Sequence, residues 1–261
     1  MADASQGPRA VVRMTLKVCN EVLEVQIKVP TAPIRAVDLL PILMSFDNAV
    51  AGAYEKEAVR QGKAISCKKG CGACCRQLVP ISEVEAQYLT ELVAEMPAER
   101  RRRVETRFRL ALEELERRGM RERLLRAAGP TALEPGQQLV VDYFACGVPC
   151  PFLEEESCSI HPDRPLICRE YTVTSPAEWC ANPSQHDIDR IAIPIHFSHL
   201  LGRFADGQGN SPYRRLPLVL ALNWASRESE PMPRLPGPQM LENFLRLVRQ
   251  AGDSGYDRDA E

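Results

Sequence analysis

The stretch CKKGCGACC, residues 67–75, places four cysteines in nine positions. What those thiols are for decides how the chain must fold. The amino-terminal MADASQGPRA lacks the basic start and apolar stretch of a secretory signal, and the runs IAIPI and LPLVLAL fall far short of a membrane span. The expectation is a cytoplasmic protein. In that reducing compartment, ten cysteines read as metal ligands or redox groups before they read as disulfides. Free cysteines also serve as small buried hydrophobes, but clustering this dense argues for a shared task.

A thiolate is a soft donor that suits zinc and iron–sulfur clusters, whereas magnesium and calcium prefer hard oxygen. The Cys71-x2-Cys74 spacing lets two sulfurs converge on one centre, and Gly70 and Gly72 permit tight turns that bring amide N–H groups close to sulfur. Cys74 and Cys75 are adjacent, and neighbouring side chains diverge in helix and strand alike. They are therefore expected to serve different centres or to bridge two metal atoms. A second group comprises Cys146, Cys150, Cys158, Cys168 and Cys180. Pro151, Pro162 and Pro165 stiffen the chain between its members. Arg164 and Arg169 flank Cys168, either lowering thiol pKa values as cationic neighbours or pairing with Glu154, Glu155, Glu156 or Asp163. Cys19 stands alone.

CKKGCGACC followed by CPFLEEESCSIHPDRPLICREY, residues 150–171, resembles the YkgJ-type cysteine-cluster family, also described as a zinc- or iron-chelating domain. The shared pattern is C-x2/3-C-x2-C-C, then C-x2-L, then C-x-I-x3-R-P-x2-C-R with an aromatic two residues on, covering roughly residues 60 to 175. The resemblance implies that Cys67, Cys71, Cys74, Cys75, Cys150, Cys158 and Cys168 belong to a metal site holding zinc or an iron–sulfur cluster. Cys180, in AEWCANP, is added as an eighth ligand, while Cys146 matches nothing. His161 occupies a position that is usually aromatic in the family and is read as a packing substitution. His196 and His199 are three apart and are read as structural.

Around the cysteines, VVRMTLKV and VLEVQIKV alternate with period two about a turn at Cys19, Asn20 and Glu21, which predicts a β-hairpin. A helix is expected from about Pro41 to Gly62, with Ile42, Phe46, Ala49, Val50 and Tyr54 on one face. Ser82-Glu83-Val84-Glu85 is a capping box, and Val84, Tyr88, Leu92 and Met96 continue its helix. Residues 99–126 carry eleven arginines and six acids around Val104, Phe108, Ala111, Leu115 and Leu124, the pattern of a solvated face laced with ion pairs. After Gly129-Pro130, a loop leads to QQLVVDYF, read as extended. IAIPIHFSHLLGRF, YRRLPLVLALNWASRE and PQMLENFLRLVRQA are read as three further helices. The fold class expected is mainly α with an N-terminal β-hairpin, the cysteine-rich metal-binding loops packed on a helical body. Residues 1–35 form the hairpin extension, 36–250 the helical cysteine-cluster domain and 251–261 a flexible tail.

A composition of 44% hydrophobic and 26% charged residues is that of a globular protein, and a net charge of −2 provides no global field for nucleic acid or an anionic membrane. The expected partner is a metal ion or cluster, with neither nucleic acid nor membrane. The leading function is metal binding through clustered thiolates. One alternative is an iron–sulfur-dependent enzyme similar to the flagellin lysine N-methylases, which carry the same cluster. No strand followed by a glycine-rich turn supports it, and DGQGNS at 206–211 reads as a loop. Cys67-x3-Cys71-x2-Cys74 has the radical S-adenosylmethionine spacing, but Ala73 stands where an aromatic is usual and no alternating strands follow. The remaining alternative is a structural zinc scaffold. No catalytic residue is assigned.

Overall fold

The computed structural model describes residues 7–128, 136–183, 185–227 and 232–253. The chain opens with β1 (Arg9–Val18) and β2 (Glu21–Pro30), paired antiparallel with Val18 opposite Glu21. The two-residue turn puts Cys19 at φ 52°. Val12 faces Ile27, Met14 faces Val25 and Leu16 faces Leu23, so the alternating sets share one face as expected. That face packs on α1 (Ala36–Arg60), which follows the short strand β3 (Pro33–Ile34).

Helix α1 begins five residues before Pro41, correcting the start expected from proline's preference for a first turn. The Asp38 carboxylate accepts the Arg35 amide at 2.8 Å, and the Arg35 guanidinium bridges Asp38 and Glu91, which fixes the entry. Its buried stripe runs through Leu39, Leu40, Leu43, Phe46 and Val50, while Ala49 faces outward, another departure from expectation. By length and composition this helix is apolar enough to cross a bilayer, but 56% of the qualifying window is buried within the protein.

Next comes β4 (Pro80–Ser82), leading into α2 (Glu83–Glu95) through the expected capping box. The Ser82 hydroxyl accepts the Glu85 amide at 3.1 Å, and the Glu85 carboxylate accepts the Ser82 amide at 2.8 Å. α3 (Ala98–Arg117) and α4 (Arg121–Ala127) bury Val104, Phe108, Ala111, Leu115 and Leu124. Their exposed faces carry pairs such as Arg103–Glu99, Arg109–Glu113 and Arg126–Glu122. The loop expected at Gly129-Pro130 lies outside the described residues.

QQLVVDYF is not extended but forms α5 (Gln137–Ala145). Its two valines carry β propensity, yet both are exposed. Leu139 and Tyr143, one helical turn apart, make the contacts with the core. The second cysteine segment contains the small hairpin β5 (Leu153–Glu154) and β6 (Ser157–Cys158), then α6 (Leu166–Glu170). Of the three further helices expected, the first shrinks to α7 (Phe197–Leu201), because Pro194 interrupts its start. The second divides into β7 (Arg215–Pro217), a 3-10 turn and α8 (Ala221–Arg227) at Pro217. After β8 (Leu235–Pro236), only the third is a full helix, α9 (Gly237–Asp253). Residues 251–253 thus continue α9, and the rest of the expected tail lies outside the described residues. β3 pairs with β8 and β4 with β7. The 206–211 loop is organised by the Asp206 carboxylate, which accepts the amides of Gln208 and Gly209 at 2.8 Å.

Two large apolar cores result, beside a small cluster of Ala51, Ala58, Ile191 and Ile193. One gathers α2, α3, α4, α5 and the 3-10 turn before α8; the other gathers the hairpin, α1, α7 and α9. Helix α2 divides them, with Val84 in the second core and Ala86, Leu89 and Val93 in the first. The second cysteine segment straddles the same divide, since Cys150 and Cys158 rest on the first core and Leu166 is buried in the second.

Buried carboxylates clamp α6. Glu85, 1% exposed, accepts the Leu166 amide at 2.8 Å through its second oxygen. Glu170 accepts the Ser198 amide at 3.0 Å and lies 3.1 Å from His196 Nδ1. Burial pushes the Glu170 carboxyl up, but the His196 and Ser198 hydrogen bonds outweigh it and hold the group low. Beside it, burial and then the Glu170 charge raise Asp47 well above the ordinary carboxylate range.

Replacing Glu85 by Ala strands three buried donors, and a loss on the order of 3 kcal/mol is expected in urea unfolding, with much less for Glu85→Gln. Asp47 binds in the folded state a proton that the unfolded chain releases near pH ~4. Its contribution is therefore complete below that pH and fades as pH rises toward the elevated folded value. Urea midpoints between about pH 5 and 8 should decline in wild type and less steeply in Asp47→Asn.

Candidate metal centre

The loop after α1 returns to the body through Ser66, whose amide bonds to Val173 O at 3.0 Å. Gly70, at φ 85°, makes the turn that brings Cys71 back. A 3-10 turn, Ala73–Arg76, then carries Cys74 and Cys75. Gly72 acts differently from expectation. Its φ of −102° is open to any residue, but a Cβ there would lie 2.7 Å from Leu153 Cδ1 and 2.9 Å from Glu156 O. The glycine lets the loop press against the turn between β5 and β6. Arg76 and Glu156 pair across the same contact at 2.6 Å.

Two further ties orient the 3-10 turn. The Cys75 carbonyl accepts the Cys150 amide at 2.7 Å, and the Gln77 side chain donates to the Cys180 carbonyl at 3.1 Å. Cys168 is placed by α6. Cys180 rides on a separate 3-10 turn, Ala177–Ala181. As a result Cys67, Cys71, Cys74, Cys75, Cys150, Cys158, Cys168 and Cys180 all line one cavity of about 290 Å³. Cys19 and Cys146 do not line it; the Cys146 thiol donates to Asp142 O at 3.2 Å. All ten cysteines are free. The adjacent Cys74 and Cys75 both line this cavity.

The rest of the lining mixes apolar Ile65, Leu78, Phe152 and Ile160 with Glu55, Tyr171, His161 and Arg164. Thr172 Oγ1 donates to Glu55 at 2.9 Å, and the Val173 amide donates to Cys67 Sγ at 3.4 Å. Tyr171 is the aromatic that closes the second cysteine motif, whereas Glu55 had no distinguishing signal in the sequence and Glu85 was readable only as a cap. His196 is engaged with Glu170, in keeping with a structural role.

The two arginines separate. Arg169 donates to the carbonyls of Arg164 and Pro162 and to Asn48 Oδ1, serving as a buried brace. Three of the four acids offered as their partners are engaged elsewhere: Glu154 with Arg107, Glu156 with Arg76, and Asp163 with the Tyr88 hydroxyl. Arg164 faces the thiols, and its buried Nε has no hydrogen-bond partner among the described residues.

Burial pushes the Cys150 thiol up to about 12 and Cys180 to about 11, and lifts Cys67, Cys158 and Cys168. The hydrogen bond to Cys75, then burial, raises Cys74 far above its usual value. Arg164 works in the opposite direction on Cys74, Cys158 and Cys168. Cys67, Cys74, Cys150, Cys158, Cys168 and Cys180 are thus biased toward the protonated thiol. Among the described residues, no three ligand-type side chains converge closely enough to coordinate one ion as they stand. The donor set itself fits a soft or borderline cation, since thiols outnumber the single carboxylate in the lining.

No curated protein and no solved structure matches the chain. Residues 66–187 match the CxxCxxCC family model, described as a "Putative zinc- or iron-chelating domain".

Proposed function

We propose that the protein holds zinc or an iron–sulfur cluster through cysteine thiolates of the 290 Å³ cavity, in the reducing environment of the cytoplasm. The observation that carries this reading is the gathering of eight thiols from three separate segments onto one cavity. Cysteines kept only as small hydrophobes have no reason to share a wall. A bound cation would replace the protons that burial holds on the sulfurs, and Arg164 would offset part of the remaining negative charge.

The same geometry favours a structural consequence of binding. The three cysteine segments are joined to one another by few backbone bonds, such as Cys150 N to Cys75 O and Ser66 N to Val173 O. A metal shared between them acts as a cross-link, and its binding energy becomes folding energy. This is how the scaffold reading arises from the metal-holding one.

Anaerobic purification with metal and acid-labile sulfide analysis tests the proposal. Brown protein containing sulfide identifies a cluster, colourless protein with stoichiometric zinc identifies the zinc form, and folded protein devoid of either metal refutes it. Ligation must expel protons from the raised thiols, so zinc uptake should release close to one proton per sulfur bound. Chelator competition between about pH 6 and 8 should show affinity rising with pH. Gly72→Val should cut metal affinity by at least about tenfold, because the side chain forces the two cysteine segments apart. Gly52→Ala, whose Cβ meets nothing within 4 Å, should leave it unchanged.

A further inference from the structure

The N-terminal hairpin leaves one edge open. Strand β1 pairs with β2, and among the described residues no third strand takes up its other edge. Val18 and Glu21 close the two-residue turn and the Pro8 carbonyl accepts the Thr31 amide at 3.0 Å, so the even-numbered residues of β1 turn their backbone groups toward β2. Those of Arg9, Val11, Arg13, Thr15 and Lys17 consequently point off the free edge, a ready template for another strand. No proline or bulge interrupts the row, since the register runs unbroken from Arg9 opposite Pro30 to Val18 opposite Glu21.

Burial and charge define the strand that fits there. On the inward side, Ile27 and Val29 of β2 are buried, but their partners across the ladder, Val12 and Ala10, are only half-buried. A strand beside β1 brings alternate apolar side chains onto Val12, Met14 and Leu16. On the outward side, Arg9, Arg13 and Lys17 recur at every fourth residue, exposed and in no ion pair among the described residues, and β1 carries no acid. This row opposes a second copy of β1, because the antiparallel overlap that pairs all of the outward residues sets Arg13 against Arg13 and Arg9 against Lys17. It favours an acidic strand.

We propose that the free edge of β1 takes up an extended acidic segment of a partner protein as a third strand, its carboxylates opposite Arg9, Arg13 and Lys17 and its apolar side chains closing on Val12, Met14 and Leu16. The main-chain ladder supplies affinity, and the two rows of side chains supply selectivity. The hairpin lies outside residues 66–187 and none of its residues lines the cysteine cavity, so this proposal stands or falls separately from metal binding.

A labelled synthetic peptide alternating glutamate with valine, titrated against the full-length protein by fluorescence anisotropy, tests the proposal beside a lysine–valine counterpart and a glutamate–valine form N-methylated at every residue. The glutamate peptide should bind, more weakly as salt rises, and the other two should not. Thr15→Pro removes an amide that points off the edge without touching the β1–β2 ladder, and Arg13→Glu reverses the central charge. Each should weaken binding by at least about tenfold while metal content stays at the wild-type level. If Thr15→Pro disturbs the hairpin, the N-methylated peptide still reads the ladder with the protein unaltered. No binding of the glutamate peptide, equal binding of the lysine peptide or full binding of the N-methylated form overturns the proposal. So does a dimer in sedimentation that Thr15→Pro dissolves, which assigns the edge to a second copy of the chain.

Discussion

The Glu85 carboxylate is the constraint on which most of the molecule depends. It is fully enclosed and accepts donors from two helix starts at once, Ser82 at α2 and Leu166 at α6. Helix α6 spans five residues, too few to persist by local hydrogen bonding alone. Its position is dictated by the acid at its N-terminus and by Glu170 at its other end, which is anchored on Ser198. Cys168 lies between these anchors, so its position is set by carboxylates that do not line the cavity. The arrangement also explains why charged groups occupy the boundary between two apolar cores. Glu85 and Glu170 each have directional partners there that a hydrophobic side chain could not supply.

Around that fixed point the cavity is electrostatically unfinished. Burial and neighbouring thiols raise Cys74 and Cys168 above their usual values, while Arg164 lines the same cavity and works in the opposite direction. Such a site discriminates by chemistry before it does so by shape. A hard cation gives too little bonding to sulfur to displace the protons, and a borderline or soft one gives enough. The β5–β6 turn adds to this rigidity. Glu155 and Glu156 both adopt left-handed φ values of 49° and 56°, where non-glycine residues are uncommon, and the turn they make receives Gly72.

How much of this was legible in the sequence depends on the reach of each interaction. The hairpin and the capping box are local, written in alternation and in a three-residue spacing, and both stand as read. QQLVVDYF misled because two β-branched residues face solvent, where their propensity decides nothing, while Leu139 and Tyr143 determine the packing. IAIPIHFSHLLGRF has helical composition but a proline early in the run, and most of it is spent in loop. Within the site, the ligand-type residues were identifiable from their clustering. The placing of Cys168 among them was not, because it depends on a bond between Glu85 and Leu166, 81 residues apart, and neither was the close approach that Gly72 permits. The adjacent cysteines share a cavity because a 3-10 turn, rather than a helix or strand, presents them.

The closure of the second core has a consequence for biosynthesis. Gly237, at the start of α9, sits so close to Pro30 that a Cβ would lie 2.1 Å from its carbonyl oxygen, and Phe244 is buried in the same core as the hairpin and α1. The longest apolar helix thus emerges from the ribosome well before the element that covers it. Until α9 is translated, part of the apolar stripe of α1 lacks its cover, and pairing of such distant segments slows folding.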